Sequence, residues 1–145
     1  MKQTTIFRLI QMVEQMNNSN IMRFTKAFRY PIGISPILAL SELKTKGPQK
    51  QAELAETVGV TKGAMTSIAA KLVELGLAER LYDESDRRTI QLSLTAEGRK
   101  ALAEAQEIGQ EVYLELFDVL SEEEVRQYLS LQEKLIRGIE ERNTQ

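Results

Sequence analysis

The chain has 145 residues, 42% apolar and 28% charged, with a net charge of −2, and it contains neither cysteine nor histidine. This length, and this proportion of apolar to charged residues, predict one soluble globular domain with a sizeable core. Without these two residue types, disulfides, thiolate metal sites, thiol redox sensing and the commonest acid–base catalyst are excluded. No run approaches the roughly 20 apolar residues of a membrane span, and the polar N-terminus does not fit a signal peptide. We therefore expect a cytoplasmic protein.

Charge is distributed unevenly along the chain. Residues 1–43 carry a net charge of +3, residues 44–100 of +2 and residues 101–145 of −7. The acidic residues are thus concentrated in the last third, whereas the middle is mildly basic. If the middle binds nucleic acid, neutralisation of phosphates should contribute a modest affinity.

Apolar residues at three- and four-residue spacing predict an amphipathic helix over residues 6–28, with a bend near residues 17–20. Ser35 and Pro36 are the predicted N-cap and first residue of the next helix, since these residue types favour those positions. That helix is expected to stop before Gly47.

Two short helices around a glycine turn follow, over residues 51–57 and 61–75. Gly59 suits the left-handed position beyond the first helix, and Gly76 ends the second, with Leu77 folding back on it as in a Schellman ending. Two helices joined by such a turn form a helix-turn-helix, whose second helix enters the major groove of DNA. The pattern therefore predicts binding to double-stranded DNA.

A hairpin comes directly after the two helices. Alternation predicts a strand over residues 89–94, paired with residues 77–82 through a loop at residues 83–88. Thr95 is expected to open a long helix. The segment SEEE at residues 121–124 is a capping box that predicts the start of a last helix.

The helix over residues 61–75 has a face suited to a major groove, because no acidic residue occurs before Glu74 to meet phosphate repulsion. Its expected DNA contacts are Thr61, Lys62, Gly63, Thr66, Ser67, Ala70 and Lys71. Gln51 would approach phosphates from the preceding helix. The face lacks Arg, Asn and Gln, so direct base readout should be thin and specificity should shift to the hairpin and to DNA shape. The alternative interpretation is a solvated amphipathic helix.

The loop of the hairpin carries a basic tip. Arg87 and Arg88 are predicted to enter the minor groove or hold its phosphates, with Asp86 fixing one guanidinium by a charge-assisted hydrogen bond. The alternative is a solvated turn with surface ion pairs, which contribute little.

The order of elements, with TVGVTKGAMTSIAAKLVELGLAER and then DESDRRTIQLSLTAEG, resembles the MarR family of bacterial winged-helix regulators. The similarity covers nearly the whole chain, and its most specific part is the hairpin, or wing, with the LT-x-x-G motif at residues 94–98. The resemblance implies one mainly α domain over residues 1–145 with a small β wing. Within it, the winged helix-turn-helix would span about residues 35–95 and the dimerisation helices about residues 4–30 and 96–142.

The sequence also departs from the family pattern. Many members have a hydroxyl residue where Lys50 stands, and basic residues at the positions of Ser67 and Ser85. The first difference weakens a helix cap, and the others remove DNA contacts. Subclasses that sense peroxide through Cys, or zinc through His or Cys, are excluded because the chain has neither residue.

The resemblance implies a homodimer that binds a palindromic operator, represses transcription and is released by a small aromatic effector. Candidate effector-site residues, which core packing explains equally well, are Met16, Phe24, Phe28 and Tyr113. No catalytic constellation is present, and we predict no enzyme activity, cofactor, metal site or membrane contact. The alternative function is a winged-helix protein-interaction module without specific DNA binding, with the acidic C-terminal helices as its docking surface.

Overall fold

The computed structural model describes residues 2–82, 85 and 90–144. The fold is mainly α with a small antiparallel sheet, as predicted. The helices are α1 Gln3–Ala27, α2 Ile34–Lys46, α3 Gln51–Val58, α4 Lys62–Glu74, α5 Ala96–Phe117 and α6 Glu122–Asn143, and the strands are β1 Gln49–Lys50, β2 Ala78–Tyr82 and β3 Ile90–Leu94. The predicted wing-tip residues Asp86, Arg87 and Arg88 lie outside the described residues. Within the described part of the chain, the helices are all too short or too polar to cross a membrane.

The chain divides into two compact units, Met1–Gly109 and Gln110–Gln145, with the boundary inside α5. The core of the first unit is built by α2, α3, α4, the sheet and the start of α5. Its largest fully buried side chains are Leu40, Leu43, Leu54, Met65, Leu72, Leu77, Leu92 and Leu102. These apolar contacts hold the two helices of the helix-turn-helix against the sheet.

The start of α2 differs from the prediction. Gly33 is the N-cap, in an extended conformation, and its carbonyl accepts a hydrogen bond from the N–H of Ile37 at 3.4 Å. Ser35 and Pro36 therefore lie inside the first turn instead of at its edge. Pro36 is tolerated there because the N–H groups of a first turn have no acceptor within the helix.

Strand β1 was not predicted. Gln49 lies opposite Leu92 and Lys50 opposite Gln91, so the sheet order is β1-β3-β2. The buried side chain of Gln49 donates a hydrogen bond to the carbonyl oxygen of Glu42 at 3.2 Å. A strand of two residues is too short to show alternation, and its partner lies far along the chain.

The wing strands pair as the sequence predicts. Strands β2 and β3 are antiparallel, and their register runs from Ala78 opposite Leu94 to Tyr82 opposite Ile90. The inward side chain of Leu92 is fully buried. The base of the wing is therefore anchored in the core.

The second unit contains the end of α5 and all of α6. Ser121 is the N-cap of α6, and its hydroxyl accepts from the N–H of Glu124 at 3.1 Å while the Glu124 carboxylate accepts from the Ser121 N–H at 2.9 Å. The predicted capping box is confirmed. The rings of Tyr113 and Phe117 stack at 6.1 Å, and that of Phe117 meets Tyr128 at 5.3 Å.

Candidate nucleic-acid interface

The turn between α3 and α4 is fixed by backbone conformation. Gly59 adopts the left-handed φ of 82°, and its N–H donates to the carbonyl of Ala55 at 2.9 Å. The hydroxyl of Thr61 then caps α4 by accepting from the N–H of Ala64 at 3.0 Å. The predicted roles of Gly59 at the end of α3 and of Thr61 at the start of α4 are both confirmed, and together they fix where α4 begins.

The end of α4 is equally well defined. Gly76 has a left-handed φ of 76°, and the N–H of Leu77 donates to the carbonyl of Leu72 at 2.9 Å. This is the Schellman ending predicted from the sequence. The fully buried side chain of Leu77 continues the apolar side of the helix into the wing.

Helix α4 has one buried and one exposed side, as predicted. Met65, Ala69 and Leu72 are buried in the core. The predicted contact residues that are exposed are Thr61, Lys62, Gly63, Thr66, Ser67 and Ala70. Lys71 is half-buried and lies 3.8 Å from the carboxylate of Glu74, a weak surface pair. The structure therefore brings the small and polar side chains together on a solvent-facing surface.

The chemistry of this exposed surface favours close approach by a partner. Apart from its chain neighbours and the nearby backbone of its own helix, no described atom lies within 4 Å of where a Cβ of Gly63 would be, so packing does not require glycine at this position. The hydroxyl of Thr66 donates to the carbonyl of Lys62 at 3.0 Å. Thr66 is exposed, and a threonine side chain can also accept a hydrogen bond or touch a thymine methyl group.

The start of α3 adds a second predicted contact. Gln51 is half-buried at the first position of the helix, and Lys50 occupies the N-cap. Among the described residues, no side chain caps this helix start, in agreement with the departure noted at Lys50. The first N–H groups of a helix are suited to bind an anion.

The LT-x-x-G motif holds the end of α4 and the start of α5 together. The hydroxyl of Thr95 donates to the carbonyl of Gly76 at 2.6 Å and accepts from the N–H of Gly98 at 2.9 Å. Gly98 is buried, and a Cβ at this position would collide with the carbonyl oxygen of Leu77. The sequence pattern does not predict this junction, because Thr95 and Gly76 are 19 positions apart in the chain.

A polar cluster joins the turn after α1 to α5. Arg29 donates two hydrogen bonds to the Glu104 carboxylate, at 3.0 and 2.9 Å, and its guanidinium carbon lies 4.7 Å from the centre of the Tyr30 ring. The hydroxyl of Tyr30 donates to Glu97 at 3.4 Å. The hydrogen bonds that Arg29 donates to the Glu104 carboxylate raise the pKa of Arg29, which stays charged.

The predicted effector-site residues divide between the two units. Phe28 is buried in the core of the first unit, and the Phe24 ring, 5.1 Å away, packs against that core. Met16 is half-buried on α1, and Tyr113 belongs to the second unit. A concavity of about 550 Å³ lies along α1, but it is lined by Gln11, Glu14, Gln15, Asn18, Ser19, Met22, Arg23 and Lys26. In the described residues, acidic side chains form no cluster that could hold a metal ion.

Comparison with known proteins identifies sequence and structural relatives. The profile of the MarR family matches residues 34–90. The chain is 33% identical over 110 residues to the HTH-type transcriptional repressor MdtR of Bacillus subtilis, a match that covers 74% of this chain and 71% of MdtR.

Solved structures share the fold. The YusO protein of Bacillus subtilis superimposes with a TM-score of 0.75 at 25% identity, covering 94% of this chain and 99% of YusO. A mutant MarR of E. coli complexed with operator DNA gives a TM-score of 0.73 at 23% identity, covering 90% and 95%.

Proposed function

The chain belongs to the MarR family of transcriptional regulators, and we propose that it represses transcription by binding a palindromic operator as a homodimer, in the cytoplasm. The exposed face of α4 is the observation that carries this proposal. Opposite the buried Met65, Ala69 and Leu72, it presents Lys62 and small residues, which are Gly63, Ala64, Thr66, Ser67 and Ala70. A helix of this kind can approach base edges closely, because no bulky or acidic side chain holds it away.

The proposed contacts combine the described positions of α3 and α4 with the sequence prediction for the wing tip. Helix α4 would lie in the major groove with Thr66, Ser67 and Ala70 toward the bases. Gln51, at the start of α3, would meet the phosphate backbone, and Arg87 and Arg88 would reach the neighbouring minor groove. Thr and Ser make few bidentate base contacts, so DNA shape should contribute a large part of the specificity. The operator complex of the structurally similar MarR and the repressor name of MdtR support this function.

The proposed dimer would cover apolar surface on α1 and α6. Both helices are completely described, and neither has a buried residue. Their exposed large apolar side chains are Ile6, Phe7, Leu9, Ile10, Met12, Val13, Ile21, Met22, Val125, Leu129, Leu131, Leu135, Ile136 and Ile139. Apolar stripes of this extent are typical of protein interfaces.

Charge supports pairing with a second copy of the chain. Helix α1 carries three basic residues and one acidic residue, whereas residues 110–145 carry four basic and nine acidic ones. A two-fold arrangement can therefore bring basic α1 of each protomer near the acidic unit of its partner.

We further propose release by a small aromatic effector through Met16, Phe24, Phe28 and Tyr113. Since Phe28 is buried and Phe24 packs against the core, a ligand that reaches them must move the C-terminal end of α1 away from that core. Such a ligand would shift the protein away from the DNA-binding state if it prefers the separated one.

The proposal is tested by selecting duplexes from a random double-stranded library with the purified chain, followed by fluorescence anisotropy on the enriched duplex. We expect an inverted-repeat sequence, bound by the wild type and lost in Ser67→Glu, which places a carboxylate on the exposed face of α4. Gln106→Glu adds the same charge on an exposed position of α5 and should bind like the wild type. If no duplex is enriched, DNA recognition is wrong, and the protein-interaction module becomes the better interpretation.

A further inference from the structure

The turn after α4, the base of the wing and the start of α5 meet at Thr95. Its N–H donates to the carbonyl of Leu77 at 3.3 Å, and its hydroxyl donates to the carbonyl of Gly76 at 2.6 Å. These two carbonyls belong to the turn between α4 and the wing. The next residue, Ala78, starts β2 and pairs with Leu94, the residue before Thr95.

The hydroxyl of Thr95 is both a donor and an acceptor. It accepts from the N–H of Gly98 at 2.9 Å, which is an ordinary N-cap of α5. The bond donated to Gly76 is different, because it links residues that are 19 positions apart. One hydroxyl proton and its lone pairs supply both bonds.

Packing at Gly98 keeps these groups close together. A Cβ at this position would meet the carbonyl oxygen of Leu77 and, at 2.6 Å, Cδ1 of Leu94. The first turn of α5 therefore rests directly on the turn that follows α4. The N–H of Leu77 is also bonded to α4, through the carbonyl of Leu72 at 2.9 Å.

We propose that Thr95 is a positioning residue for DNA binding, which fastens the end of α4 and the base of the wing to α5 so that they move as one body. This inference rests on the proposed DNA-binding function. The bond to Gly76 holds α4 and the wing in the relative orientation that lets both contact the duplex. Without it, that orientation is populated for a smaller fraction of the time, and the apparent affinity falls by that fraction.

Substitutions at Thr95 distinguish its role as the N-cap of α5 from its hydrogen bond to Gly76. Thr95→Ser keeps both the donor and the acceptor. Thr95→Asp keeps a good N-cap acceptor for Gly98 but has no proton for the carbonyl of Gly76. Thr95→Val has a similar shape and lacks both functions.

The measurements are anisotropy with the duplex selected by the wild type and hydrogen exchange of residues 76–78. We expect Thr95→Ser to match the wild type in both. Thr95→Asp and Thr95→Val should weaken binding by about two- to tenfold, within the range expected for one lost hydrogen bond, with faster exchange in this turn. Assays well below each variant's melting temperature, with sedimentation as a check of assembly, exclude unfolding as the cause.

The possible outcomes distinguish the two proposals. If Thr95→Asp binds the duplex like the wild type, Thr95 is only a helix cap and the inference is overturned, whereas the DNA-binding function stands. The positioning role would also be overturned if Thr95→Ser bound the duplex more weakly than the wild type. If the wild type itself selects no duplex, the proposed function fails first and the positioning role fails with it.

Discussion

Glycines at three positions show how differently the same residue type is used. At Gly59 and Gly76 the backbone adopts a left-handed φ that other residues rarely tolerate. At Gly98 the reason is space, because the turn after α4 occupies the position of a Cβ. The sequence marks the first two through their places at helix ends, but the crowding at Gly98 depends on a contact with Leu77, far along the chain.

Substitution of Gly98 by alanine should destabilise the protein. The added methyl group must push aside the backbone of Leu77, and overpacking of this kind lowers the free energy of unfolding by about 1–3 kcal/mol. Gly109→Ala is the matched control in the same helix, since no described atom beyond its chain neighbours and nearby helix backbone lies within 4 Å of its Cβ position. It should raise stability by about 0.5–1 kcal/mol. Urea unfolding measures both, and equal effects at the two positions would contradict the crowding argument.

The capping box of α6 should make its stability depend on pH. Hydrogen bonds from the backbone and side chain of Ser121 lower the pKa of Glu124. The stabilisation is therefore fully present above the pKa that Glu124 has in the unfolded chain, about 4.3 for glutamate. It is lost as the pH falls through the lower pKa that Glu124 has in the folded protein. Circular dichroism melts should show this loss below about pH 4. Ser121→Ala should flatten the dependence, and an unchanged pH profile would argue against the effect.

Among the secondary-structure elements, local signals determined what the sequence could predict. The limits of α4 followed from Thr61 and Gly76, whose effects act within a few residues. The predicted start of α2 was wrong because Gly33, Ser35 and Pro36 all suit a helix start. The sequence does not show which of them is the N-cap. Strand β1 was missed because it exists through pairing with β3.

The same distinction applies to the candidate site. The periodicity of apolar residues predicts which side of α4 is exposed and which is buried, because this prediction needs only the geometry of a single helix. Periodicity cannot find the link from Thr95 to Gly76, because the two residues meet only after the wing has folded between them.

The wing should contribute strongly to DNA affinity. Replacing Arg87 and Arg88 together by alanine should cost about 1–3 kcal/mol of binding and give a shallower salt dependence. Lys134→Ala with Arg137→Ala removes the same charge from exposed positions of α6 and serves as the control. Anisotropy titrations at several salt concentrations measure both quantities. Equal binding by the wing variant and the wild type would show that the wing assignment is wrong.

At the scale of the whole molecule, assembly should depend on the apolar stripe of α6. Ile136→Glu places a charge where the proposed partner would bury it, and a buried unpaired charge is strongly unfavourable. Ser130→Glu puts the same group on an exposed position about 120° around the helix from Ile136. Sedimentation at micromolar concentration should give a dimer for the wild type and Ser130→Glu, and a monomer for Ile136→Glu. A stable wild-type monomer would contradict the proposed dimer.

Effector release should depend on the aromatic residues at the C-terminal end of α1, Phe24 and the C-cap Phe28. Salicylate, as a representative aromatic acid, should release the selected duplex from the wild type. Phe24→Leu and Phe28→Leu keep apolar volume in the core and should change the concentration needed for release. Thermal melts establish that both variants are folded. Identical salicylate sensitivity in the three proteins would remove these residues from the proposed site.

Hydroxyl-radical footprinting on the selected duplex tests the central claim most directly, because it maps where each protomer lies on DNA. Two equivalent half-sites should be protected, related by a two-fold axis and about 10 base pairs apart, the spacing at which two recognition helices meet successive major grooves on one side of the duplex. Ser67→Glu should abolish both protected regions together, and Gln106→Glu should leave them unchanged. A single protected site, uniform protection of the duplex, or a footprint that survives Ser67→Glu would contradict recognition by a dimer through α4.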